Sequence, residues 1–246
     1  MKVCLIVQAR MGSERLPGKV LKEVLGKPLL GYQCERLERV KLKDKLVVAT
    51  TTHASDDAVV EFCQARHLVY FRGSEQDVLE RYYEVATREG AEAIVRLTAD
   101  CPLIDPEIVD RVIEFYLKNL SKFDYVSNVL ERTYPRGMDC EVFGYPVLVE
   151  AHHQAQLAAE REHVTSFVYT RPERYRLGSV TSIGKNESRH RWTVDTPEDF
   201  ELIRKILTEL YPKNQAFSTQ DVLELLARNP DWENLNAHIQ QKETDS

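Results

Sequence analysis

The sequence has no apolar run near the roughly 20 residues that a membrane-spanning helix requires, which excludes a helical span as its working part. Its N-terminus, where Lys2 is followed at once by a strand-like run, lacks the layout of a secretion signal, so the expected location is cytoplasmic. Net positive charge is also missing. The 33 Lys and Arg against 39 Asp and Glu leave a formal charge of −6, which argues against non-specific nucleic-acid binding and turns any local basic segment into a candidate site. Five cysteines, Cys4, Cys34, Cys63, Cys101 and Cys140, form no C-x-x-C pair, so neither a zinc site nor a disulfide framework is expected. No G-x-x-x-x-G-K-[ST] or G-x-G-x-x-G phosphate signature occurs. Covalent catalysis has no support either, since G-x-S-x-G is absent and Cys101 has no evident His partner in the sequence. There is no repeat, linker or low-complexity stretch.

What is present is alternation. Strand-like runs at residues 2–7, 45–51, 68–71 and 93–97 are separated by helical patterns near 28–40, 55–66, 76–89 and 105–119, which predicts an α/β fold with a mostly parallel sheet. Ser55-Asp56-Asp57 and Asp105-Pro106-Glu107 offer capping oxygens and first-turn acids at two helix starts. From Asp124 the pattern changes. Residues 124–145 read as short strands, 146–170 as helix and 174–194 as strands again, which suggests an inserted layer at about 124–190. Two helices follow, one capped by Thr196 with Pro197 in its first turn and one beginning at Ser218. A single domain over 1–235 with a polar, frayed tail over 236–246 is the expected organisation.

Directly after the first strand, Gln8-Ala9-Arg10-Met11-Gly12-Ser13-Glu14-Arg15-Leu16-Pro17-Gly18-Lys19 crowds three cations and a hydroxyl onto a loop of small residues. Such a loop can let backbone and cations close on a triphosphate, and the end of the first strand is where an α/β sheet places its ligand. A solvated basic turn is the plainer alternative. Asp100 ends the run Val95-Arg96-Leu97-Thr98-Ala99, and Asp195 ends Arg191-Trp192-Thr193-Val194. Two carboxylates at strand ends could hold a divalent ion over the reacting phosphate, or each could cap the turn or helix that follows. In the segment 132–142, Arg136 can bind an anion bidentately, and Asp139 and Glu141 alternate as residues on one strand face do. That segment reads either as a recognition loop for a polar second substrate or as a charged hairpin.

With these residues in hand, the chain resembles the sugar nucleotidyltransferases in their cytidylyltransferase branch. Arg15-Leu16-Pro17-Gly18-Lys19 is similar to the R-L-P-G-K run of 3-deoxy-manno-octulosonate and acylneuraminate cytidylyltransferases. The nearest group it resembles is the spore coat polysaccharide biosynthesis protein F family, through residues 8–19, 77–82, 96–102, 137–141 and 191–199. The resemblance implies a Rossmann-like three-layer nucleotidyltransferase fold, related to the A-type glycosyltransferases, and a reaction in which an acceptor oxygen attacks the α-phosphate of CTP and pyrophosphate leaves. It also implies a homodimer built through the inserted layer. By position, Arg10, Ser13 and Arg15 would hold the triphosphate and Lys19 would offset charge as pyrophosphate departs. Ala9 and Ala99 would lie near the cytosine, with Gln8, Met11, Gly12 and Thr98 completing the nucleotide site, while Asp100 and Asp195 would hold Mg²⁺. Arg136, Asp139 and Glu141 are the residues expected on the acceptor. A nucleotide-sugar-dependent glycosyltransferase is the alternative, although the Asp-x-Asp motif usual there is absent. A non-catalytic nucleotide-binding protein would not require Lys19, Asp100 and Asp195 together.

Overall fold

The computed structural model describes residues 1–240. Strand β1 (Val3–Gln8) buries both of its faces: Val3, Leu5 and Val7 point into one apolar cluster, Cys4 and Ile6 into another. A strand apolar on both sides must sit mid-sheet with helices on each face, as the period of two requires. After a short hairpin, β2 (Glu23–Val24) and β3 (Lys27–Pro28), turned by Leu25 and Gly26 at positive φ, come α1 (Leu29–Leu37), β4 (Lys45–Thr51), α2 (Asp57–Ala65) and β5 (Val69–Gly73). Then follow α3 (Val78–Glu89), β6 (Ala93–Thr98) and α4 (Pro106–Lys118). Helices α1, α2 and α4 cover one face of the sheet and α3 the other. Each fully buried Val, Leu or Ile in these clusters contributes roughly 1.5–3 kcal/mol.

The segment after Asp124 departs from the expected inserted layer. Strands β7 (Tyr125–Ser127) and β8 (Glu141–Gly144) continue the main sheet, giving the order β5-β4-β1-β6-β8-β7-β9 with β8 the one reversed strand among those described. The helix expected over 146–170 is three pieces, α5 (Tyr145–Gln154), α6 (Ala158–His163) and α7 (Ser166–Tyr169). It breaks because Glu160 turns back to accept from the Gln156 and Leu157 N–H groups, and because Thr165 donates its hydroxyl to buried Glu141. Of the strands expected over 174–194, only β9 (Leu177–Ser179) forms beside β7, with one isolated bridge between Arg136 and Arg191.

The chain closes with α8 (Pro197–Leu210) and α9 (Thr219–Arg228), each begun by a reciprocal cap, Thr196 with Asp199 and Ser218 with Asp221. These helices make a third apolar cluster with Leu16, Trp192 and Val194, pinning the end of the loop after β1 to the segment that carries Asp195. The expected fraying does not begin at Asn236, which is buried and donates to Arg191 O at 2.9 Å and Asp199 Oδ1 at 2.8 Å. Of the rest of that expectation, residues 237–240 form no helix or strand, and residues 241–246 lie outside the described residues.

Register levels the functional edge. Gln8 pairs with Ala49 on one side and with Thr98 on the other, so the loops after β1 and β6 leave the sheet at the same height.

Candidate active site

The loop after β1 is fixed from beneath by a residue that the sequence places on a helix. Asp56 makes no capping bond; buried, it accepts from the Met11 N–H at 2.7 Å and from the Thr51 N–H and hydroxyl. A 3₁₀ turn, Ala54–Asp56, leads into α2 and is capped by His53, whose Nδ1 accepts from the Ser55 N–H at 3.2 Å. Met11 O then receives the N–H groups of Ser13 at 2.9 Å and Gly18 at 3.0 Å, folding the loop over itself, and Gly18 takes the left-handed φ of 67° that this closure demands. If the loop holds a nucleoside triphosphate, as the sequence predicts, Asp56→Ala is expected to raise KM for it about tenfold with little change in kcat, because the loop loses its anchor and not its cations. Steady-state kinetics against nucleotide concentration would read this, and an unchanged KM would refute the anchoring role.

Gln8, Arg10, Gly12, Ser13, Arg15 and Lys19 line a cavity of about 510 Å³, and Thr98, Ala99, Asp100 and Asp195 form its opposite wall. Met11 and Ala9 do not: the Met11 side chain packs against the core and Ala9 is buried within it. A larger cavity of about 760 Å³, between α4, α9 and residues 182–190, holds none of the residues expected in the nucleotide site.

The centre is Lys19. Its Nζ lies 2.7 Å from Asp195 Oδ1, 2.7 Å from Val194 O and 3.5 Å from Asp100 Oδ2. Asp100, just past β6, and Asp195, which the structure places after an irregular segment and not at a strand end, meet because the Val194 N–H donates to Asp100 O at 2.8 Å, splicing the two loops. Neither aspartate is a helix cap. Asp105 caps α4 by accepting from Glu107 N–H at 3.0 Å, and Thr196 and Asp199 cap α8.

Asp195 Oδ2 is further held by Arg15 at 3.2 Å and Arg191 at 2.7 Å, and Arg191 continues to Asp199 at 2.9 Å. Asp100 Oδ1 accepts from the Thr98 hydroxyl at 2.5 Å and the Cys101 thiol at 3.4 Å. Burial opposes the Lys19 charge, but Asp100 and Asp195 outweigh it and hold the ammonium above its ordinary pKa. Burial likewise opposes ionisation of Asp100, yet Lys19 and the Thr98 and Cys101 hydrogen bonds outweigh it and keep its carboxyl below the ordinary value. Thus the site is charged at neutral pH.

Across the mouth, α6 brings Glu162 to 3.8 Å from Arg10 and places His163 on the cavity wall. The neighbouring Arg161 turns the other way, donating to Asp77 at the start of α3 at 2.8 Å. Asp56 reads in the sequence as a capping oxygen and Arg191 as the start of the run to Asp195, and neither carries a signal for the contacts it makes here.

The three residues expected on the acceptor are not brought together. Strand β8 starts only at Glu141, so Asp139 and Glu141 share no strand face. Asp139 is engaged bidentately by Arg132 at 2.7 and 2.9 Å. Glu141 is buried and bonded to Arg96, Thr165 and, at 2.7 Å, the Tyr125 hydroxyl, so its carboxylate braces the sheet. Arg136 lines a different cavity of about 360 Å³.

An arrangement of three loop cations facing paired carboxylates can bind a polyphosphate and a divalent ion in one pocket. Comparison with known proteins agrees in kind. The sequence profile described as cytidylyltransferase matches residues 4–236. The spore coat polysaccharide biosynthesis protein SpsF of Bacillus subtilis is 34% identical over 235 residues, 93% of this chain and 95% of that one. A cytidylyltransferase structure from Leptospira borgpetersenii superposes with a TM-score of 0.91 at 33% identity, covering 99% of this chain and all of the other. A CMP:2-keto-3-deoxy-manno-octonic acid synthetase complexed with CTP shares the fold at a TM-score of 0.63 and 20% identity, over 85% of this chain and 99% of its own.

Proposed function

The chain belongs to the cytidylyltransferase family, and we propose that it transfers CMP from CTP to an acidic sugar or related acceptor in the synthesis of a surface polysaccharide or other glycan. The observation that carries this reading is the Lys19 ammonium lodged between Asp100 and Asp195 beneath the Arg10–Arg15 loop. An acceptor oxygen attacks the α-phosphorus, the bond to the bridging oxygen breaks, and that oxygen leaves on pyrophosphate. Such a step is governed by positioning and electrostatics and needs no side-chain nucleophile. Arg10, Ser13 and Arg15 orient the triphosphate, and Lys19 is placed to stabilise charge as pyrophosphate forms.

Two carboxylates close enough to share one ammonium fit the hard oxygen donors that Mg²⁺ takes, with phosphate oxygens and water filling its other positions. Asp100 and Asp195 would hold that ion, whose charge, when bound, offsets that of the triphosphate. A cytoplasmic site of action and a homodimer formed through residues 124–190 belong to the same proposal.

The test offers each of the four nucleoside triphosphates with Mg²⁺ and a panel of 2-keto sugar acids and sugar phosphates, following pyrophosphate release. Release with CTP and an acidic sugar is the expected result. Absence of release from every pair, together with tight binding of an intact nucleotide sugar, would favour glycosyl transfer instead.

A further inference from the structure

Asp195 lies on irregular backbone just before α8, so neither a strand ladder nor a helix fixes the direction of its carboxylate. That direction is set from behind. Arg191 Nη2 donates to Asp195 Oδ2 at 2.7 Å, which leaves Oδ1 to meet Lys19 at 2.7 Å. The Arg191 fork is in turn seated on Asp199, with Nε 2.9 Å from Oδ1 and Nη2 3.1 Å from Oδ2. Asp199 is fully buried, and its Oδ2 also accepts from the Asp195 N–H at 2.9 Å and the Thr196 N–H at 3.1 Å. One carboxylate therefore holds the backbone of Asp195 directly and its side chain through Arg191.

The far end of this bracket is closed by Asn236, which follows the short 3₁₀ helix Pro230–Leu235. A side-chain amide carries two N–H donors. Asn236 Nδ2 commits both, one to Asp199 Oδ1 at 2.8 Å and one to Arg191 O at 2.9 Å. Any backbone acceptor would serve to tie down a tail, whereas here both donors end on the two residues that aim Asp195. Asn236 is buried and does not line the nucleotide pocket, so what it does for Asp195 passes through Asp199 and Arg191. Without its amide, Arg191 Nε is the donor left to Asp199 Oδ1 among the described residues, and the guanidinium that rests there is freer to tilt and to take Asp195 Oδ2 with it.

We propose that Asn236 is a positioning residue for the divalent ion: acting through Asp199 and Arg191, it holds the Asp195 carboxylate in the direction that the ion requires. The C-terminal segment thereby sets metal affinity without touching substrate. This rests on the reading that Asp100 and Asp195 hold Mg²⁺.

Calorimetric titration of CTP with no acceptor present, once in EDTA and once in Mg²⁺, isolates the part of the affinity that the ion supplies. In the unaltered protein Mg²⁺ should tighten CTP binding. Asn236→Ala should remove most of that gain, weakening CTP about tenfold in Mg²⁺ while its affinity in EDTA stays within about twofold, as for loss of a partner that supports a metal ligand. Asn236→Ser, which keeps one short donor, should fall between the two, and it carries the test if Asn236→Ala does not fold. Leu225→Ala cuts the third apolar cluster from α9, so it should lower the unfolding midpoint and leave the Mg²⁺ gain whole. Loss of the gain in Leu225→Ala as well, or equal weakening of Asn236→Ala in EDTA and in Mg²⁺, would reduce Asn236 to a structural role and overturn the proposal. A gain that survives whole in the Asn236 variants would overturn the proposal alone. If CTP affinity in the unaltered protein ignored Mg²⁺, the metal reading of Asp100 and Asp195 would fall and the proposal with it. None of these measurements requires turnover, so they stand apart from the assay for cytidylyl transfer.

Discussion

Lys19→Ala should lower kcat about 100-fold or more while the protein stays folded. Removing one preorganised donor from a developing oxyanion typically costs about 2.7–4 kcal/mol of transition-state stabilisation, which is a factor of about 10²–10³. The stability cost should be smaller than for an ordinary buried pair, where stripping one partner costs about 3–5 kcal/mol. After the substitution Asp195 still has Arg15 and Arg191, and Asp100 still has the Thr98 hydroxyl and the Cys101 thiol. Lys19→Arg should not restore the rate, because the ammonium bonds three oxygens from a compact point and a planar fork cannot. The sign of the pH effect follows from its raised pKa: the stability Lys19 contributes is fully present below its unfolded value near 10.4 and fades only as pH rises through the higher folded value. At neutral pH, then, kcat and the unfolding midpoint should separate, a large loss in one and a small loss in the other. Turnover near that of the unaltered protein would sink the role.

The parts of this site that could be read in advance are those in which local pattern and long-range position coincide. Strands β1 and β6 are mainly apolar and lead into the candidate site residues, so Arg10, Lys19 and Asp100 could be placed at one edge before any contact was known. Thr196 with Asp199 is a cap legible at three-residue spacing. Asp56 was not legible, because its ligands are the backbone of Met11, 45 residues away, and a carboxylate beside a helix start looks like a cap in any sequence. Glu141 misled for a related reason. Its alternation with Asp139 assumed a strand that begins two residues later, and its partners Arg96, Tyr125 and Thr165 come from three separate elements. The helix expected over 146–170 is interrupted locally by Glu160, which caps a new helix start at Gln156 and Leu157, and over distance by Thr165, whose hydroxyl bonds to Glu141 on β8. Where tertiary hydrogen bonds decide, periodicity is silent.

Asp100→Ala should be as damaging as loss of Lys19, and in a different way. The two aspartates are not equivalent: Asp195 is surrounded by Lys19, Arg15 and Arg191, whereas among the described residues the cation at Asp100 Oδ2 is Lys19 alone, at the long distance of 3.5 Å. Asp100 therefore offers the more available oxygen, its other oxygen being fixed by Thr98 and Cys101 so that the carboxylate cannot rotate away. Removing it should reduce turnover about 100-fold or more and raise the Mg²⁺ concentration needed for half-maximal rate by about 10-fold to 100-fold, the range for loss of a supporting or direct ligand contact. The lowered pKa of Asp100 sets the pH window: its stabilisation is present above the unfolded value near 3.9 and is lost as pH falls through the lower folded value, so the variant's stability should approach that of the parent only in strong acid. Asp100→Asn separates charge from shape, since the amide can keep the Thr98 hydrogen bond but cannot supply an anion. If Asp100→Asn retained both the rate and the Mg²⁺ requirement of the parent, the carboxylate would be a structural brace for the Lys19 loop and not part of the reacting site.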